Sequence, residues 1–325
     1  MDMASVREIK RRRDGIRSTE QITRAMGLIA TAKLMKARER REAFQPYFNA
    51  LYEMVSSVLA SDGEGGSIRG YGEQSIFRDK ETSEEEGAAG PVRAVVAFSS
   101  NRGLAGGYNH GIVRMIAGDK RFPAKTTVIY AVGNRGREEL SAMGYPVRRS
   151  YPEAAEAPEF EYAWKLAKKL LADVMAGEIG EIYLAYTAFQ SALSQQPALV
   201  RVLPPESGRE AGWGVPGSSR ETGQKEPESD QNRKPAYMEY EPDRDQVMER
   251  LIPWYLSGMI YGALLEAAAS ENGARMTAME SASGNAEKLM EELDLQYNRA
   301  RQDSITRELT EIAAGNSGTL QEEEG

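Results

Sequence analysis

ARMTAMESASGNAEKLMEELDLQYNRARQDSITRELTEIAAG, residues 274–315, contains no proline and only two glycines, and its apolar or small residues recur at alternating steps of three and four. Met276, Met279, Ser283, Ala286, Met290, Leu293, Tyr297, Ala300 and Ser304 mark a stripe with a period near 3.5 residues, which is a coiled-coil seam. Small residues at several seam positions predict close helix approach instead of a wide leucine core. A long, narrow helix without reactive side chains transmits force or holds a partner.

The N-terminus carries a second such pattern. Residues 4–60 hold no glycine between Gly27 and Gly63 and predict one long helix or two joined ones, interrupted near Gly15–Thr19 if anywhere. Phe44, Tyr47, Leu51, Met54 and Val58 supply a heptad spacing, with Pro46 expected to kink the helix. About fifty-five helical residues extend on the order of 80 Å at 1.5 Å per residue, too long for a compact core. Each end helix needs a surface to cover its seam, and the nearest one is the other helix.

The middle of the chain changes character. Residues 92–98, 126–132 and 181–189 are buried-strand runs, 198–204 alternates like an edge or hairpin strand, and 109–116, 135–143 and 162–175 have helical patterning. Strand–helix alternation predicts a small α/β domain with a largely parallel, Rossmann-like sheet. The fold class is therefore α/β with long helices: an antiparallel coiled coil of the N- and C-terminal helices with an inserted α/β domain. The expected divisions are the first helix at 1–60, a Gly-rich acidic linker at 61–91, the α/β domain at 92–205, a disordered insertion at 206–236, the second helix at 237–315 ended by Gly315 and Gly318, and an acidic tail at 316–325.

Composition excludes several chemistries. The 325 residues include no cysteine and a single histidine, His110, so thiol nucleophiles, disulfides, zinc–thiolate sites and a His-based triad are out of reach. No apolar stretch is long enough to span a bilayer, and the charged N-terminus lacks the core of a secretory signal. Residues 1–41 hold twelve Lys/Arg against five Asp/Glu, so in a chain of net charge −8 they carry +7 and the remainder −15. IKRRRDGIR (9–17) reads as a basic collar facing an acidic protein surface, with a solvated helix face and a nucleic-acid patch as the other readings. Glu291 with Glu292, and Glu84–Glu86, read as solvated carboxylates, not as an acid–base pair.

SSNRGLAGGYN (99–109) follows a strand and opens a helix, where α/β folds place phosphate sites. Its spacing fits neither GxGxxG nor the Walker pattern, which favours a structural turn over a nucleotide site.

IKRRRDGIRSTEQITRAMGLIATAKLMKA (9–37), ENGARMTAMESASGNA (271–286), LQYNRARQDSITRELTEIAAG (295–315), YEPD (240–243), YGALLEAAASENGARM (261–276) and the central SSNRGLAGGYN together closely resemble the gamma subunit of the rotary ATP synthase, over roughly three quarters of the chain. The resemblance implies a non-catalytic central-stalk rotor, one copy per complex and without cofactor. It turns inside the ring of alpha and beta subunits and stands with the epsilon subunit on the membrane c ring, at the cytoplasmic face of a bacterial membrane. It also implies site residues. Arg24, Ala25 and Met26 match the segment facing the beta lever, and Arg275 a position linked to it. Arg301, Gln302, Thr306 and Glu308 match further contacts with the hexamer, and Tyr240, Glu241 and Asp243 the foot on the c ring. Departures are Gly273 and Gly284 where Ala and Asp are usual, Asp303-Ser304 for a small apolar pair, Asn101 for Asp and Ala105 for Cys. The competing readings are an α/β ligand-binding protein with coiled-coil oligomerisation arms, binding nucleotide at 99–109, and a nucleic-acid binder using residues 7–41.

Overall fold

The computed structural model describes residues 3–60, 92–204, 241 and 244–322, and the segments read as linkers at 61–91 and 206–236 lie outside the described residues. The elements are α1 (Met3–Ala60), β1 (Arg93–Phe98), α2 (Tyr108–Gly118), β2 (Thr127–Val132), α3 (Asn134–Ala142), β3 (Val147–Ser150), α4 (Pro152–Glu156), α5 (Phe160–Met175), β4 (Glu181–Phe189), β5 (Gln195–Leu203) and α6 (Arg244–Glu322). Two compact units result: Met1–Ile29 with Met276–Gly325, and Ala30–Arg275.

The first unit is a helix pair. Arg13 Nη1 meets Asp294 at 2.9 Å, Thr23 and Ser283 hydroxyls lie 2.8 Å apart, and a Cβ on Gly27 would touch Met279 at 3.5 Å. As numbers rise on α1 they fall on α6, so the pair is antiparallel. The α6 stripe predicted from spacing is the stripe that is covered: Met279, Ala286 and Leu293 are buried, and Ser283, Met290, Tyr297, Ala300 and Ser304 are half-buried. On α1 the covered positions include Val6, Ile9, Arg13, Ile16, Glu20, Thr23 and Gly27, a heptad stripe in which Arg13, Glu20 and Thr23 are polar, with Met26 half-buried beside it.

The second unit is a five-stranded sheet of order β3-β2-β1-β4-β5, parallel except for β5, which pairs antiparallel with β4. Period-two alternation sorts the side chains. Ala94, Val96, Phe98, Tyr130, Val132, Leu184 and Tyr186 face α5 together with Phe48 and Val55 of α1 and Met248 to Ala267 of α6. Val95, Ala97, Ile129, Ala131, Tyr183 and Ala185 face Ile112, Val113 and Ile116 of α2 and Leu140 of α3. Both faces are covered, which is why the central strands read as continuous apolar runs.

The structure corrects three readings. The α1 stripe in this unit is Phe44, Phe48, Leu51 and Val55, whereas Tyr47 and Met54 are exposed. Ala30, Leu34, Ala37 and Arg41 occupy the preceding covered positions, so the heptad keeps phase through a charged residue that apolar spacing skips. The short edge strand β3, VRRS, escaped notice because two of its four residues are arginine. Helix α6 continues to Glu322, past Gly315 and Gly318; single glycines tax a helix by about 1 kcal/mol without ending it.

Asp173 of α5 is a buried carboxylate, 4 % exposed, between Lys169 Nζ at 2.6 Å, Arg148 of β3 at 3.5 Å and the Tyr130 hydroxyl of β2. Burial pushes its pKa up, but the hydrogen bonds from Lys169 and Tyr130 and the charges of Lys169 and Arg148 outweigh burial and hold it below the ordinary carboxylate value. A depressed native pKa contributes stability above the unfolded value of about 3.9 and loses it as pH falls through the native pKa. Asp173→Asn is expected to destabilise the chain by about 1.5 kcal/mol at pH 7, the scale of a lost hydrogen bond to a charged group, because the Lys169 and Arg148 left behind reach solvent and Arg148 keeps Glu178. In urea unfolding from pH 7 to pH 3 that deficit should shrink below about pH 4.

The two glycines that depart from the family pattern separate physically. A Cβ on Gly284 would meet nothing within 4 Å, whereas one on Gly273 would meet Gln195 Nε2 at 3.2 Å, the Phe189 ring at 3.3 Å and Ala192 Cα at 3.7 Å. Gly284→Ala should raise stability by about 1 kcal/mol in thermal unfolding, and Gly273→Ala should give no such gain, because its added methyl crowds the β4–β5 turn.

Candidate functional site

The turn after β1 is built from its own side chains. Ser99 Oγ donates to the Val132 carbonyl and accepts the Gly136 N–H at 2.9 Å, and the Ser100 carbonyl accepts the Arg135 N–H at 3.0 Å. Two donors at the start of α3 are therefore already engaged. Gly133, at φ 90°, is required here, since a Cβ would collide with the Ser99 carbonyl. Asn109 Oδ1 accepts the Ser100 N–H at 2.8 Å and fixes the start of α2. Asn101 Nδ2 donates to the Pro152 carbonyl at 2.7 Å, which the carboxylate usual in the pattern could not do. Ala105 is fully buried where a larger side chain is usual.

In a sheet of this order the ligand crevice lies outside the carboxyl ends of β1 and β4, where the chain's winding reverses. Helix α6 fills it. Glu266 Oε2 accepts the Phe189 N–H at 2.8 Å, Ser270 Oγ donates to the Thr187 carbonyl at 2.8 Å, and Arg275 Nη2 donates to the Gly103 carbonyl at 3.4 Å. Arg275 also pairs with Glu271 at 2.8 Å, and both are largely buried. Burial raises the Glu271 pKa against the opposing pull of Arg275, and it raises that of the nearby buried Tyr108 hydroxyl. The arrangement binds the protein to itself. Among the described residues no group of His, Asp or Glu is placed to hold a metal, and no helix is long and apolar enough to cross a membrane.

The residues singled out in the sequence fall into three sets. Arg24, Arg301, Gln302, Thr306 and Glu308 are exposed and Met26 is half-buried, all on the helix pair. Arg275 belongs to the other unit and is engaged internally with Glu271 and Gly103. Glu241 is exposed, while Tyr240 and Asp243 lie outside the described residues. Of the basic collar, Arg7, Lys10, Arg11, Arg12 and Arg17 are exposed, whereas Arg13 turns inward to Asp294 and stacks over Tyr297. His110 is exposed beside Glu139 at 2.9 Å. The helix pair also presents uncovered apolar side chains: Ile22, Leu28, Ile29, Leu289, Leu295, Ile305 and Leu309. Sequence reading passed over Arg41, Glu266 and Glu271, whose only signal was a charge at a covered heptad position or inside an apolar run.

The sequence pattern of the family described as ATP synthase matches residues 5–318. The ATP synthase gamma chain of Lachnoclostridium phytofermentans is 41 % identical over 313 residues, covering 96 % of this chain and 98 % of that one. This chain belongs to the ATP synthase gamma-chain family. The sodium-ion-specific gamma chain of Acetobacterium woodii is 34 % identical over 311 residues, covering 96 % of this chain and 97 % of its own. A chain in the structure of the Euglena gracilis mitochondrial ATP synthase in rotational state 3 shares the fold, with TM-score 0.65 at 18 % identity, covering 98 % of this chain and 95 % of that one. As a gamma chain the protein is a non-catalytic rotor subunit of the central stalk.

Leu104 stands in the left-handed region at φ 65° with its side chain 62 % exposed. That conformation costs a non-glycine residue about 1–2 kcal/mol, and glycine's extra unfolded-state entropy returns about 0.4–1 kcal/mol. Leu104→Gly is expected to leave the melting temperature unchanged or raise it; a loss above about 1 kcal/mol would show that the leucine side chain is packed.

Proposed function

We propose that this chain transmits torque between a membrane c ring and the alpha–beta hexamer of an ATP synthase, coupling ion translocation to ATP synthesis or hydrolysis. The observation that carries the reading is the antiparallel helix pair whose outer faces keep Ile22, Leu28, Ile29, Leu295 and Leu309 uncovered, in a full-length relative of bacterial gamma chains. Side chains of that kind on a slender helix pair call for an enclosing partner. Two wound helices resist twisting better than one, and the basic collar suits an acidic lever on that partner. Energy passes because the shaft stabilises one conformation of each surrounding subunit at each angle.

In this reading Arg24, Met26, Arg275, Arg301, Gln302, Thr306 and Glu308 serve coupling to the hexamer, and Tyr240, Glu241 and Asp243 form the foot on the c ring beside epsilon. The complex works at the cytoplasmic face of a bacterial membrane, with one copy of this chain. Support comes from the exposure of Arg24, Arg301, Gln302, Thr306 and Glu308 and from the c ring named with the central stalk in the Tetrahymena thermophila structure, which shares the fold at TM-score 0.50.

The test is reconstitution with the cognate subunits in vesicles. Hydrolysis and ATP-driven ion pumping should both depend on this chain. Met26→Lys or Arg301→Ala should assemble and hydrolyse ATP while fewer ions are pumped per ATP than in the parent. Parental pumping by both variants would refute the contact assignments, and hydrolysis-linked pumping that does not need this chain would refute the rotor reading.

A further inference from the structure

Phe189 closes β4, and charged side chains from two different helices take both of its backbone polar groups. Its N–H donates to Glu266 Oε2 of α6 at 2.8 Å, and its carbonyl accepts from Arg41 Nη1 of α1 at 3.2 Å. The same Arg41 nitrogen lies 3.2 Å from Glu266 Oε1, and the guanidinium sits 5.7 Å from the centroid of the Phe189 ring. Strand end, first helix and last helix are thus joined in one closed ring of contacts. Ser270 to the Thr187 carbonyl adds a further tie one turn along α6, and Gly273 lets the Phe189 ring and Gln195 lie against the helix.

This ring is an expensive way to hold three elements together. The Glu266 side chain is 5 % exposed, set among Ala263, Leu264, Leu265, Ala267 and Ala269. Burial raises its pKa, opposed by the Phe189 N–H and Arg41. Apolar residues of the same volume would pack there with less desolvation, so the charged ring is hard to account for as a stabiliser. What it does supply is direction. Apolar contacts slide at small cost, whereas Arg41 and Glu266 each satisfy two partners at one geometry, and a twist of the sheet about either helix breaks both.

We propose that Arg41 and Glu266 form the torque joint of the rotor: positioning residues that lock the end of β4 to α1 and α6, so that rotation imposed on the sheet passes into both helices without slip. The inference rests on the rotor reading and adds where the load enters the helices.

The experiment uses the reconstituted complex, measuring ATP hydrolysis and ions pumped per ATP for Glu266→Gln, Arg41→Gln and the double variant. Hydrolysis is expected to persist near the parental rate while the pumping ratio falls clearly below the parent's. The double variant should be no worse than the more affected single one, because both break one joint. Equal proportional loss of hydrolysis and pumping, or an unchanged ratio, overturns the proposal. A parent complex without pumping dependent on this chain overturns the rotor reading instead. If a variant does not assemble, hydrogen exchange at the Phe189 amide of the intact isolated chain decides. Exchange more than about tenfold faster in Glu266→Gln supports the joint, since it means a local opening easier by one RT ln 10 step; parental protection overturns it.

Discussion

A helix dozens of residues long does not hold in water on propensity alone; it persists because a stripe of its surface is covered. In the N-terminal unit α1 and α6 cover each other, and their seam is neither uniformly apolar nor uniformly large. Arg13 with Asp294 and Thr23 with Ser283 sit among Ile9, Ile16, Ala286 and Leu293. The half-buried Thr23–Ser283 pair favours one register, because a slip leaves its hydroxyls without each other, whereas Arg13 and Asp294 meet at the exposed edge of the seam. Small residues such as Gly27 and Ala286 keep the pair thin. For a rotor, a thin shaft with a fixed register presents the same asymmetric surface at the same height on every turn.

The same two helices govern the sheet unit by other means. Phe48 and Val55 of α1 and the long apolar run of α6 make up much of one face of the sheet, so the α/β domain shares its core with them. Helix α6 then crosses the carboxyl ends of β1 and β4 and spends its buried polar groups there. Glu266, Ser270 and Arg275 each serve a backbone group of the sheet or its turn.

Legibility in the sequence followed the contrast between apolar and polar positions. The α6 seam from Met276 to Ser304 was readable because small and apolar residues fill it almost without exception. The α1 seam was readable in period but lost phase, since Arg13, Glu20, Thr23 and Arg41 sit at covered positions and look like surface residues. Tyr47 and Met54 then seemed to belong to it; both are amphipathic enough to stand in water. Strand β3 was silent because half of it is arginine on an exposed edge. The structural role of the 99–109 turn was legible from its failure to match phosphate-loop spacing.

The sequence by itself determined the periodicities, the insertion of an α/β sheet between two long helices, the family, and the exclusion of thiol and histidine chemistry, because these depend on residue type and spacing along the chain. Tertiary structure alone decided which charged residues lie inside. That Arg41 meets Glu266 and Phe189, and Arg275 meets Glu271 and Gly103, joins residues from 77 to 225 positions apart in the first set and up to 172 in the second. No local pattern encodes such pairings: a buried charge is tolerable only where partners from other elements converge on it, and that convergence exists only once the chain has folded.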